Sequence, residues 1–433
     1  MIFGARLAAI FLFLVTAATA QDVFAHVIVG NTFNYDATKW QSDIALAQNY
    51  GIDAFVLNIA TPLATSQATV SNAFQAADAA GFKLFFSFDY LGGAGPWPAG
   101  DVSSLLKQYA SHPSYFKYNN AAFVSTFEGT GNIGDWAGIR GSVPGGIFFM
   151  PDWTSLGPDG LKANLGVVDG FFSWDMWPSD PTQKVPTSDT AYINALGGKP
   201  YMMGISPWFY TRLPGYNKAW VFNVDTLWYS RWEQALTLKP QFIELVTWND
   251  FGESHYLGPV FQPGVPTGAG TDATAYVDGM PHEGWMELLP YYVSAYKNGS
   301  IPVQQTDKLV YWYRRTPKSA GSPGGVLGGF PYGAQFDPNS EVQDNVYMVA
   351  LLGPTPGASV QVQIGNNAPT ILSTGLAAGA NLLQVPFNGQ TGNVTVSVIR
   401  NGAPVFTGTG ATIDASPVSG ITNYNVWVGQ AHP

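Results

Sequence analysis

From Val23 onward, short runs rich in valine, isoleucine and phenylalanine alternate with longer stretches whose apolar residues recur at helical spacing. That is the pattern of repeated βα units around a parallel sheet. Candidate strands cover 23–30, 54–60, 83–90, 121–128, 146–153, 169–177, 200–208 and 242–249, and the clearest helical stretches cover 38–50, 69–80, 102–109, 226–238 and 283–296. Runs such as Leu84-Phe85-Phe86 and Ile147-Phe148-Phe149-Met150 are apolar without alternation, as strands covered on both faces must be. Eight units within about 280 residues predict a (β/α)8 TIM barrel, whose closed sheet has no exposed edge. Residues 21–315 are assigned to it, with a strand or link near 307–315. Beyond a Gly- and Pro-rich stretch at 319–330, the period changes to two, as in Ser359-Val360-Gln361-Val362-Gln363-Ile364, with Asn401-Gly402 as a hairpin signal. Residues 316–433 therefore predict a C-terminal all-β, sandwich-like accessory domain.

The N-terminus changes the compartment. Arg6, the apolar run from Leu7 to Val15 and the small residues Ala18-Thr19-Ala20 predict a signal peptide over 1–20, so the mature protein is expected outside the cell or in its wall. No later run is apolar for the roughly 18 residues a span requires, and no membrane partner is expected. With 29 acidic against 19 basic residues the formal charge is −10, which excludes a protein built to grip nucleic acid. Cysteine is absent, so no disulfide, thiolate metal site or cysteine nucleophile exists. Sequons at Asn298 and Asn393 offer surface glycan positions. Without a repeat or heptad seam, the chain is expected to act as a monomer.

Candidate chemistry lies at the strand ends, where barrels of this kind build their sites. Asp89, Glu128, Asp152 and Asp175 end successive candidate strands, and Asp250 and Glu253 follow the last. Aromatic residues accompany them: Tyr90 beside Asp89, Trp174 and Trp177 around Asp175, Trp208 ending the seventh strand and Trp248 before Asp250. Flat rings on which sugars stack, with acids to bind hydroxyls, point to a carbohydrate. Glycoside hydrolysis needs two carboxylates, and Asp250 and Glu253 stand three residues apart on one turn. Glu128, Asp152 and Asp175 read as binding or charge-tuning groups. His255 either lines the cleft or is an ordinary loop histidine. Gly129-x-Gly131-x-x-Gly134 has dinucleotide-loop spacing, but the stretch after it, with Gly138, Gly141 and Pro144, is a poor helix for that role. The five histidines lack metalloprotease spacing, so neither metal nor cofactor is expected.

The segments Val23-Phe24-Ala25-His26-Val27-Ile28-Val29-Gly30-Asn31, Phe85-Phe86-Ser87-Phe88-Asp89, Val168-Asp169-Gly170-Phe171-Phe172-Ser173-Trp174, Ser206-Pro207-Trp208-Phe209-Tyr210 and Thr247-Trp248-Asn249-Asp250-Phe251-Gly252-Glu253-Ser254 resemble glycoside hydrolase family 71, the secreted fungal α-1,3-glucanases or mutanases. The resemblance implies inverting, metal-independent endo-hydrolysis of α-1,3-glucan, with essential acids at Asp250, Glu253 and Asp89. Glu253 is expected as general acid through carboxylate crowding and Asp250 as base, an assignment that spacing leaves open. A glucan-binding protein without turnover, or a hydrolase of another linkage, remains the competing reading.

Overall fold

A computed structural model describes residues 21–178, 182–328, 337–417 and 420–433. The expected signal peptide lies outside the described residues. Strands β1 (Asp22–Ile28), β2 (Ala54–Thr61), β3 (Lys83–Gly93), β4 (Ala121–Phe127), β5 (Ile147–Phe149), β6 (Phe171–Ser173), β7 (Tyr201–Ile205) and β8 (Phe242–Leu245) fall within or across the apolar runs read from the sequence. Helices α1 (Ala37–Asn49), α2 (Gln67–Ala80), α3 (Ala99–Tyr109), α4 (Trp136–Ser142), α5 (Gly157–Ala163), α6 (Thr187–Leu196), α7 (Leu227–Leu238) and α8 (Leu289–Asn298) stand between and after them. Parallel ladders join the strands as β5-β4-β3-β2-β1-β8-β7-β6.

The sheet is strongly curled. Between β5 and β6 the described ladder is reduced to a single bridge of Asp152 with Phe172, while Asp152 also bridges back to Phe127 of β4. The expected eight-stranded barrel is thus met as a curled α/β sheet with a point contact at its last seam. Pro151 precedes that contact and has no N–H to lend a ladder. Period-two alternation decides what fills the curl. Phe24, Phe85, Phe123, Phe148 and Phe242 pack ring to ring at one end, with Phe24 and Phe85 centroids 5.0 Å apart. Two residues further along β1 and β8 come His26 and Glu244, and four residues beyond Phe85 comes Asp89.

One boundary is corrected. The strand β9 (Lys308–Tyr313), expected within the barrel domain, pairs with β10 (Asn345–Leu352) and with the last strand, Trp427–Ala431, and so belongs to the C-terminal sheets. There, one four-stranded sheet faces a second built on Ala358–Ile364, Thr370–Leu372, Gly392–Arg400 and Ala403–Ile413. Alternation along β9 divides its side chains between two cores. Leu309, Tyr311 and Tyr313 face the second sheet, while Val310 and Trp312 join the core of the α/β body. The Trp312 indole donates to the carbonyl of Asp225 at 2.8 Å. The segment between β9 and β10 also reaches a hairpin, Tyr210–Leu213 with Lys218–Val221, inserted after β7. Arg212 donates to the Gly324 carbonyl at 2.8 Å, and Ala219 and Leu327 bridge.

Candidate active site

The C-terminal ends of β1, β3, β4 and β8 open into a cavity of about 420 Å³ walled by His26, Asp89, Phe127, Asp250 and Glu253. Trp174, Trp177, Phe209 and Phe222 supply flat faces around it. Asp89 is held by an Asx turn: its Oδ1 accepts the N–H groups of Leu91 at 2.9 Å and Gly92 at 2.7 Å. A Cβ at residue 92 would lie 2.6 Å from Asp89 Oδ2, so glycine there lets the carboxylate keep this turn. After β8, Thr247 Oγ1 accepts the Asp250 N–H at 2.7 Å, and Asp250 Oδ1 accepts the Glu253 N–H at 3.0 Å. Asn249 pins this turn to β1, accepting from the Ile28 N–H at 2.8 Å and donating to its carbonyl at 3.0 Å.

Behind the turn, buried His255 sets Nε2 3.1 Å from Glu253 Oε2 and 3.9 Å from Asp250 Oδ2. In front, Lys218 Nζ donates to Glu253 Oε1 at 2.9 Å. The two carboxyls of the turn are thereby driven apart in acidity. Burial raises Asp250, and the negative charge of Glu253 raises it further. Burial also acts to raise Glu253, but the His255 hydrogen bond and the Lys218 charge outweigh it and hold the group at about 2. Asp89 is raised by burial, against the pull of its two backbone N–H donors. The expectation that crowding would make Glu253 the raised acid is therefore reversed: the His255 hydrogen bond and the Lys218 charge hold it low, and Asp250 carries the raised value. Asp250, Glu253 and His255 present ligand atoms within 4.8 Å of one another. The Lys218 ammonium already lies on this cluster and would repel a second cation, so the arrangement suits a carboxylate pair with a fixed counter-charge better than a metal centre.

Comparison with known proteins bears on what such a cavity serves. Residues 19–433 match the glycosyl hydrolase family 71 description. The chain belongs to glycosyl hydrolase family 71. A mutanase of Penicillium rubens is 36% identical over 94% of this chain and 88% of its own length. A glucan endo-1,3-alpha-glucosidase of Schizosaccharomyces pombe is 34% identical over 94% of each chain. An ascus wall endo-1,3-alpha-glucanase of the same yeast is 30% identical over 71% of this chain and 74% of its own.

Within this family 71 protein the structure brings Asp89, Asp250, Glu253, Trp174 and Trp177 to one cavity. Tyr90, Glu128 and Asp175 line a second, of about 650 Å³, which shares Phe127 and Trp174 with the first. Glu128 accepts the Ser155 N–H at 2.9 Å there, and Asp175 pairs with Lys184 at 2.9 Å. Gly129 leaves room for Tyr90: its φ is +99°, and a Cβ would meet the ring at 2.6 Å. This accounts for the first glycine of the dinucleotide-like spacing.

Four expected site residues lie elsewhere. Trp208 is 1% exposed, with its indole donating to the Tyr424 carbonyl at 3.0 Å. Trp248 is equally buried against Phe55 and donates to Asp43 at 3.1 Å. Both are core residues rather than stacking platforms, because the pleat turns them away from the strand-end cavity. Asp152 is fully buried and bonds the backbone N–H of Thr154 at 3.0 Å; Thr154 Oγ1 in turn accepts the Trp174 N–H at 2.7 Å. Asp152 thus acts on the cavity through the placement of Trp174. His255 sits behind the carboxylates rather than on the wall. Sequence reasoning passed over Lys218, Trp220 and Phe222, whose period-two spacing puts them on one face of the hairpin strand and its extension. It also passed over His26, a polar residue at an inward position of a buried strand.

Proposed function

We propose that this family 71 protein is an exported, monomeric endo-α-1,3-glucanase that hydrolyses its polysaccharide with inversion, without metal or cofactor, at the mouth of a (β/α)8 barrel. The observation that carries the reading is the placing of Asp89, Asp250 and Glu253 on one aromatic-walled cavity. The names borne by the relatives support the α-1,3 linkage. The wall location of one of them supports export through residues 1–20. No described helix is long and apolar enough to cross a membrane.

Roles follow from electrostatics. Inversion requires two carboxyls roughly 6.5–9.5 Å apart, with water between one of them and the sugar. Asp250 and Glu253 offer oxygens within 4.8 Å of each other, so the pair on this turn is too tight for that task. Asp89 lies three ladder steps around the sheet, roughly 14 Å from backbone to backbone along its curve, and its side chain and that of Asp250 both reach into the cavity between, so it supplies the opposite side. Asp250, whose affinity for a proton is raised by burial and by the Glu253 charge, gives that proton to the glycosidic oxygen as the bond to C1 breaks. Asp89 takes a proton from the water that attacks C1 from the other face. Glu253 remains an anion that raises Asp250 and steadies the developing positive charge on the sugar. The neighbouring cavity with Tyr90, Glu128 and Asp175 accommodates a further glucosyl unit, as endo-cleavage requires.

The test is release of reducing ends from α-1,3-glucan, β-glucan, starch and dextran by the purified protein, with proton NMR of fresh hydrolysate. Release from α-1,3-glucan with β-configured new ends is expected. Binding without release supports the non-catalytic alternative, release from another glucan alone overturns the linkage, and initial α-ends overturn inversion.

A further inference from the structure

His26 and Glu244 are 1% and 0% exposed, among the most enclosed titratable groups in the α/β body, and none of the roles above uses them. They face each other from β1 and β8, with His26 Nδ1 2.6 Å from Glu244 Oε1. The histidine ring also lines the cavity, edge to face with Trp174 at 5.0 Å. Its second nitrogen, Nε2, has no hydrogen-bond partner among the described residues. A buried donor left unpaired is costly, so a polar atom in this position on a cavity wall points to a ligand group that completes it.

We propose that His26 is a substrate-contacting residue at the cavity floor, donating Nε2–H to a hydroxyl oxygen of the bound glucosyl unit, and that Glu244 is the positioning residue that fixes this proton. The inference rests on the carbohydrate reading of the cavity. Charge neutrality decides the direction of the bond. A pair this enclosed disfavours a net charge, and its two neutral states are a protonated Glu244 donating to Nδ1 and an ionised Glu244 facing a doubly protonated imidazole. Both place a proton on Nε2. Burial lifts Glu244 above its ordinary value while the His26 hydrogen bond opposes the rise. Sugar hydroxyls accept as readily as they donate, whereas the nearby carboxylates can only accept when ionised. His26 therefore adds a donor at the floor, separate from Lys218, to a wall otherwise dominated by carboxylates.

The experiment compares kcat and KM on soluble α-1,3-gluco-oligosaccharides for the wild type, His26→Phe, Glu244→Gln and Glu244→Leu. His26→Phe, which keeps the ring and removes the donor, should lower kcat/KM roughly 10- to 100-fold. Glu244→Leu should lower it similarly, and Glu244→Gln, whose amide can still donate to Nδ1, should recover most of the loss. Nitrogen-15 NMR of histidine-labelled Asp250→Asn protein supplies a readout that survives poor folding of those variants: His26 Nε2 should be protonated and shift on oligosaccharide binding. Wild-type kcat/KM in His26→Phe, or an Nε2 resonance unmoved by bound oligosaccharide, overturns the proposal. A wild type active only on another glucan overturns the linkage alone, and the same variants assayed on that glucan then decide His26.

Discussion

Replacing Lys218 by methionine removes one positive charge from the carboxylate cluster and keeps most of the side chain's volume. Unit charges 2.9 Å apart, the Lys218–Glu253 separation, attract by about 1.4 kcal/mol in water and about 6 kcal/mol at an effective dielectric of 20. The lysine side chain is 45% exposed, so solvent screening favours the lower figure, equivalent to about one pH unit. Glu253 would rise from about 2 by that amount and remain ionised in mildly acidic solution. The same ammonium also lowers Asp89 and Asp250, without a direct ion pair, so their shifts are smaller. Loss of a cation destabilises every nearby carboxylate anion and therefore raises both values. The base needs a higher pH to ionise and the acid keeps its proton to a higher pH, so both limbs of the kcat/KM profile should move alkaline by several tenths of a unit, never more than about one. The assay is kcat/KM on soluble gluco-oligosaccharides across acidic to neutral pH. A loss of activity with the profile unmoved, or moved acidward, refutes the electrostatic reasoning.

Trp208→Ala should cost about 3–5 kcal/mol of stability, seen as a lower Tm, while the affinity of the folded fraction for glucan is unchanged. Trp174→Ala should do the opposite, weakening binding by about 1 kcal/mol with a smaller change in Tm. Asp250→Asn should reduce turnover of α-1,3-glucan about 10²- to 10⁴-fold, but much less on an α-glucosyl fluoride, whose leaving group needs little protonation; equal losses on both would remove Asp250 from the acid role. A chain ended after α8 should be insoluble on expression, because Trp312, Tyr347, Val349 and Val428 no longer cover the α/β body. Recovery of a soluble, cooperatively melting protein would show that body to be self-sufficient.

Much of the α/β body was legible because strands covered on both faces cannot hide their apolar runs, and α1, α2 and α7 lie within two residues of their periodic stretches. The same rule produced the boundary error. The strand Lys308–Tyr313 is apolar on both faces because it is clamped between the body and a second sheet, an environment that reads in sequence like the inside of a barrel. At the site, Asp89, Asp250 and Glu253 were visible as acids leaving apolar strands. Asp152 shared that signature and Trp208 and Trp248 stand at similar strand ends, yet pleat and turn geometry bury all three, and side-chain direction at a strand end is not encoded in local pattern. Lys218 gave no local sign at all. Its partner is thirty-five residues away, and the hairpin that delivers it is placed by tertiary contacts.

Those contacts tie two portions of the chain together. The hairpin that sets Lys218 against Glu253 is gripped through Arg212 and Ala219 by the segment leading into the C-terminal sheets. A β-rich appendage that touches nothing in the body it accompanies can be exchanged like a cassette. Here an exchange of that kind would carry away part of the fixture that keeps one carboxylate ionised. Substitutions on the β-rich side can therefore disturb the Lys218–Glu253 contact without altering a single residue in the cavity.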